Sequence, residues 1–230
     1  PIFTQLNENG VMKNWQMNGT HGIADRWAFA KVFGNQKDVY VTHRNNGTIY
    51  TTEVFKDGTI ENLTFNNTHG IADRWAFADI FGEGRDVYVT HRDNGQFYAT
   101  ALEPDGTVKK YEWDGGQGIG DRWAFVDLLG NGREVFVTQK NSGVFYITQL
   151  NDNGKLSNLT LHGGHGIADR WSFANVYGKK SSPYITHRNN GEMYLTEVNN
   201  GVMLSESDLS GGILRYDFVV PEDGDDLIIT

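Results

Sequence analysis

Along most of the chain apolar and polar positions alternate with a period of two, in short runs cut by glycine-bearing turns. This is the pattern of half-buried β-strands joined by hairpins. In the stretch 75–113, Trp75-Ala76-Phe77-Ala78-Asp79-Ile80 reads as one strand, 86–90 as a second, 96–102 as a third and 107–113 as a fourth. Gly82-Glu83-Gly84, Asp93-Asn94-Gly95 and Pro104-Asp105-Gly106 are the turns between them. No segment carries a helical period, so the chain is expected to be all-β.

The same sentence is written several times over. His21-Gly22-Ile23-Ala24-Asp25-Arg26-Trp27-Ala28-Phe29 returns at 69–77, as Gln117-Gly118-Ile119-Gly120-Asp121-Arg122-Trp123-Ala124-Phe125, and at 165–173, a constant step of 48 residues. Tyr40-Val41-Thr42-His43-Arg44-Asn45-Asn46-Gly47 keeps that step at 88–95, 136–143 and 184–191. Asx-Gly turns recur at Asn9-Gly10, Asp57-Gly58, Asp105-Gly106, Asn153-Gly154 and Asn200-Gly201, one more time than the other blocks. A degenerate further copy reads Gly212-Ile213-Leu214-Arg215-Tyr216-Asp217-Phe218, and Asp226-Leu227-Ile228-Ile229-Thr230 matches 86–90. Its continuation lies at the other end, where Ile2-Phe3-Thr4-Gln5-Leu6 matches the third strand. Four antiparallel strands per unit are one propeller blade. The expectation is a single domain over 1–230, a five-bladed β-propeller whose fifth blade is split between the N- and C-terminal strands and closes the ring.

Composition narrows the partners. Lys and Arg number 20 against 29 Asp and Glu, a net charge of −9, which argues against nucleic acid and against an anionic membrane surface. With no cysteine, disulfides and thiolate metal sites are excluded. Glycine is frequent, at 28, and proline scarce, at 4, as many tight turns require. No apolar run is long enough to span a membrane, and the first residues lack the basic and apolar regions of a signal peptide. A soluble protein is expected, cytoplasmic or secreted, with a leader removed before residue 1 left open.

In a blade whose strands run outwards from the centre, the loop entering the first strand and the turn from the second to the third lie on one face. Both polar blocks therefore decorate that face, while the turn from the first to the second strand, on the other face, varies freely between copies. The candidate ligand-binding residues are His21, Asp25, Arg26, Trp27, His43 and Arg44 in the first copy, and His69, Asp73, Arg74, Trp75, His91 and Arg92 in the second. The third supplies Gln117, Asp121, Arg122 and Trp123, and the fourth His165, Asp169, Arg170, Trp171, His187 and Arg188. Each has a structural alternative: tryptophans filling the space between blades, glycines serving turns, Asp and Arg bonding the crossover or clamping adjacent blades. Against this stands their joint weakening. The third copy has Gln117 for His and Gln139-Lys140 for His-Arg, and the degenerate copy has Leu214 for Asp. Guanidinium and imidazole donors, carboxylate acceptors, amides and an aromatic plane suit a hydroxyl-rich ligand, and weak copies on one rim gain avidity.

The segment Trp75-Ala76-Phe77-Ala78-Asp79-Ile80-Phe81-Gly82-Glu83-Gly84-Arg85-Asp86-Val87 is similar to the blades of bacterial and fungal lectins built from FG-GAP/VCBS-like repeats. In blade number and length the whole chain resembles the tachylectin-type five-bladed lectin among the tandem-repeat β-propeller lectins. That resemblance implies reversible glycan binding in clefts between blades, with no catalysis and no cofactor. The calcium-binding version of the repeat is not expected, because Lys31, Asp79, Asp127 and Asn175 stand at the leading position and Phe33, Phe81, Leu129 and Tyr177 at the third. Three strong sites and a fourth weaker one are expected. The competing readings are a protein-binding scaffold and, less favoured, a glycosidase with a central-channel site, which the equivalence of Asp25, Asp73, Asp121 and Asp169 argues against. A nucleophilic triad has no support, Ser172 replacing Ala28, Ala76 and Ala124 in an inner strand.

Overall fold

A computed structural model of the chain describes residues 2–6, 8–16, 18–22, 24–140, 142–166, 170–176, 178, 181–199 and 202–205. The period-two runs of the described residues are strands, and Asn9-Gly10, Asp57-Gly58, Asp105-Gly106 and Asn153-Gly154 are turns between them. Blade 1 holds β3 (Arg26–Ala30), β4 (Val39–Arg44), β5 (Thr48–Val54) and β6 (Ile60–Phe65). Blade 2 holds β7 (Arg74–Ala78), β8 (Val87–His91), β9 (Phe97–Leu102) and β10 (Val108–Trp113). Blade 3 follows as β11 (Arg122–Val126), β12 (Val135–Lys140), β13 (Val144–Leu150) and β14 (Leu156–Leu161). Blade 4 is β15 (Arg170–Phe173), β16 (Tyr184–His187), β17 (Met193–Asn199) and β18 (Val202–Ser205). Each is an antiparallel sheet with its strands in chain order.

A two-stranded sheet of β1 (Ile2–Leu6) and β2 (Met12–Gln16) precedes them. It copies the outer hairpin of a blade. Thr4 Oγ1 donates to Asn14 Oδ1 at 2.7 Å, as Thr52 does to Asn62 at 2.7 Å and Thr148 to Asn158 at 2.8 Å, each pair directly opposite in register. The described residues thus hold four complete blades rather than the five expected. The strands expected at 212–218 and 226–230 lie outside the described residues.

The cores lie between blades. On β4, Val39 and Val41 face blade 2, where Tyr88, Trp75 and Phe77 pack against them. Trp123 and Phe125 pack in the same way on the core of blade 2, and Trp171 and Phe173 on that of blade 3. Trp27 and Phe29 occupy the equivalent positions on blade 1, yet are 56% and 52% exposed. At the far side, His187 is exposed where His43 and His91 are covered by the next blade. The two faces left open are of the two kinds that meet in each seam between the described blades.

The edge opposite the polar blocks stitches neighbours together. Asp86 Oδ2 accepts the amide of Lys31 at 2.7 Å, and Glu134 Oε2 that of Asp79 at 2.8 Å. Arg85 Nε donates to the Val32 carbonyl at 2.8 Å, while its other nitrogens bind Glu103 and the Leu102 carbonyl. Arg133 reaches the Phe81 carbonyl at 3.2 Å, Leu150 at 2.6 Å and Asp152 at 2.7 Å. An edge that looked free to vary therefore carries a blade-to-blade clamp in copies two and three. Gly-x-Gly-Arg-acid, shared by Gly82–Asp86 and Gly130–Glu134, was its signal. Among the described residues no helix is long and apolar enough to cross a membrane.

Candidate functional site

The entering loops and second-to-third-strand turns do share a face, and a belt of hydrogen bonds runs through them. Asp25 Oδ2 accepts the amide of Asn45 at 2.9 Å, and Asp73 Oδ2 that of Asp93 at 2.9 Å, so each carboxylate caps the turn of its own blade. The turn is then held by the next crossover. Thr68 N donates to the Gly47 carbonyl at 3.1 Å, Gly116 N to Gly95 at 2.9 Å and Gly164 N to Gly143 at 3.1 Å. Gly47 has φ +82°, and a Cβ there would stand 2.8 Å from the Thr68 carbonyl oxygen. The repeated glycine thus answers to a left-handed turn and to a close approach of the chain itself. Asp169 lies outside the described residues.

The histidines fall into two sets. His21, His69 and His165 lean on Tyr50, Tyr98 and Tyr194, with ring centroids 4.6, 5.1 and 4.7 Å apart. Their backbone amides, with that of Gln117, donate to Thr52, Thr100, Thr196 and Thr148. Burial pushes the imidazoles of His21 and His69 below the usual histidine range. His43 and His91 were expected on an exposed turn and are instead 1% and 0% exposed. The cause is register: each is the strand residue opposite the Arg of its block, on the face turned to the next blade. There His43 meets Tyr88 at 4.6 Å and His91 meets Phe136 at 4.4 Å. Burial lowers both to about 4, partly offset by the backbone carbonyls of His69 and Gln117 and by Asp25 and Asp73, while Arg26 and Arg74 push them further down. At the same place in blade 3, Gln139 Nε2 donates to the His165 carbonyl at 2.8 Å.

The basic residues of the turns are exposed; Arg44, Arg92 and Arg188 lie over the same tyrosines, 5.2 Å from the Tyr50 centroid, 5.4 Å from Tyr98 and 5.1 Å from Tyr194, and Lys140 lies 5.3 Å from Tyr146. Arg26, Arg74 and Arg122 are half-buried, and each Nη1 donates to the carbonyl just before it, Asp25 at 2.8 Å, Asp73 at 2.7 Å and Asp121 at 2.9 Å. The clamp of Asp to Arg that the sequence allowed is not what Asp25 and Asp73 form.

Strand alternation decides what can meet. Arg26 and Trp27 are consecutive, so they point to opposite faces of blade 1. Arg26 shares its face with His43 and looks towards blade 2, where its charge acts on Tyr88. Trp75 of blade 2 faces back onto blade 1. A seam between blades therefore sets the arginine-bearing face of one blade against the tryptophan-bearing face of the next: Arg26 and Trp75, Arg74 and Trp123, Arg122 and Trp171. Towards the opposite edge of that last seam, a cleft of about 550 Å³ opens between β11 and β15, walled by Trp171 and Phe173 on one side and by Ala124, Phe125, Asp127 and Glu134 on the other; Arg122 is not among its walls. Arg170 is exposed at the start of β15, at the outer face of blade 4.

Metal chemistry finds no donor cluster here. Asp79 gives its oxygens to the amides of Glu83 and Gly84, Asp127 to those of Asn131 and Gly132, and no group of three or more His, Asp or Glu is poised to hold an ion among the described residues. Comparison of the chain with protein-family models and with curated proteins gives no match.

Proposed function

We propose that this chain is a multivalent carbohydrate-binding protein that holds sugars in the seams between propeller blades, without catalysis, as the resemblance to tandem-repeat β-propeller lectins implies. The observation that carries it is the repeated make-up of the seam: the face of one blade that bears a half-buried arginine is turned to the face of the next that bears a tryptophan, at three successive seams. A guanidinium fork donates to ring oxygens and hydroxyls, and an indole packs the apolar face of a sugar. His43, His91, Asp25 and Asp73 serve this site by holding the seam and the rim rather than by touching the sugar.

The same reading makes the ring five-bladed. In it the strands expected at 212–218 and 226–230, which lie outside the described residues, complete the blade begun by β1 and β2. About three to four equivalent sites on one face are proposed.

Calorimetric titration with a panel of monosaccharides tests the reading. More than one equivalent bound per chain, abolished in the triple variant R26A/R74A/R122A at unchanged melting temperature, supports it. A stoichiometry of one favours a single channel ligand, and binding only to a folded protein favours a scaffold.

A further inference from the structure

The guanidinia of Arg26, Arg74 and Arg122 have no carboxylate partner among the described residues, although the protein as a whole is acidic at −9. The nearest acids along the chain are committed elsewhere, Asp25 and Asp73 to turn amides at 2.9 Å each. A half-buried cation without a counter-ion is an expensive arrangement to repeat. A second observation lies in the same seam. The Tyr88 hydroxyl is fully buried, makes no hydrogen bond within the protein and sits in the field of Arg26. The blade across each seam adds another cation, Arg92, Lys140 or Arg188, held over its tyrosine. Donors and positive charge of both blades therefore face the seam, and among the described residues no carboxylate forms an ion pair with these arginines.

We infer that the seams take a saccharide bearing a carboxylate, a uronic or sialic acid, rather than a neutral sugar; this rests on the carbohydrate reading above. The planar carboxylate accepts two parallel bonds from the guanidinium fork, while the sugar ring lies on the indole across the seam. The neutralised arginine then no longer stands unpaired. A phosphate would use the charge but not the planar fork.

Calorimetry with glucuronic acid, N-acetylneuraminic acid, glucose, N-acetylglucosamine and sodium acetate tests it on the full chain. The acidic sugars are expected to bind about tenfold or more tighter than the neutral ones, with affinity falling as salt is raised. R26K/R74K/R122K, which keeps the charge and the fold but not the fork, is expected to lose most of that preference. Neutral sugars binding equally well or better overturn the inference and leave the carbohydrate reading standing. If no saccharide of either kind binds, both fall. Acetate binding as tightly as the acidic sugars overturns the inference as well, because the seam then recognises an anion and not a sugar.

Discussion

Acid should open this propeller at its histidine seams. His43 and His91 are closed in between blades and held neutral, with pKa lowered from 6.5 to about 4. In the unfolded chain both take up a proton near pH 6.5, so the unfolded state binds more protons below that point. The stabilisation they carry is complete above pH 6.5, declines as the pH falls from 6.5 towards 4, and changes no further below. Between pH 7 and pH 4.5 the loss is about 2–3 kcal/mol per histidine. The less perturbed His21 and His69 act in the same sense, whereas half-buried Glu134, raised above the usual carboxylate range by desolvation, acts in the opposite one. Blade 3 supplies the control residue, since Gln139 fills the same position and bonds the next crossover without a titrating proton. Urea unfolding of the wild type and of H43Q/H91Q, followed by tryptophan fluorescence at pH 7 and pH 4.5, reads the difference. The wild type should lose about 5 kcal/mol more than the double variant over this range. Equal losses in the two proteins would refute the argument that these imidazoles are buried uncharged.

Two further outcomes follow from the rim and the ring. Deleting residues 1–17 removes β1 and β2 and should lower the melting temperature of the whole protein, whereas a circular permutant opened at Asn94-Gly95, with residues 230 and 1 joined, should still fold; a truncated chain that melts like the parent disproves the split blade. Gly47→Ala adds a Cβ at φ +82° against the Thr68 carbonyl and should cost about 2 kcal/mol or more in chemical denaturation, while Gly58→Ala, with φ +87° but open space around it, should cost less.

Much of the fold was written in the period-two pattern. The strands expected at 86–90 and 96–102 stand within a residue of Val87–His91 and Phe97–Leu102, because turn glycines and apolar alternation agree there. The site was less legible. A repeated block reads as one unit, but a strand distributes its residues to two faces, so Arg26 and Trp27 belong to different seams. Likewise His43 stands beside an exposed Arg44, and only the register with Arg26 places it inside. The role of Asp25 could not be read at all, since the amide it caps lies 20 residues away on a turn whose approach depends on the folded blade. The Arg85 and Arg133 clamps were overlooked because blade 1 has Lys37 and blade 4 has Ser181 at that place, and comparison between copies favours what all four share.

Each seam joins unlike surfaces, the guanidinium side of one blade and the indole side of the next, which is the head-to-tail contact of a cyclic oligomer drawn within one chain. A single repeat cut from it would carry two half-seams and no whole one. Two successive repeats are the smallest piece with a complete seam, and such a piece still ends in complementary faces. Copies of it can satisfy those faces only by joining one another, into a closed ring where the rotation per blade permits and into open strings where it does not.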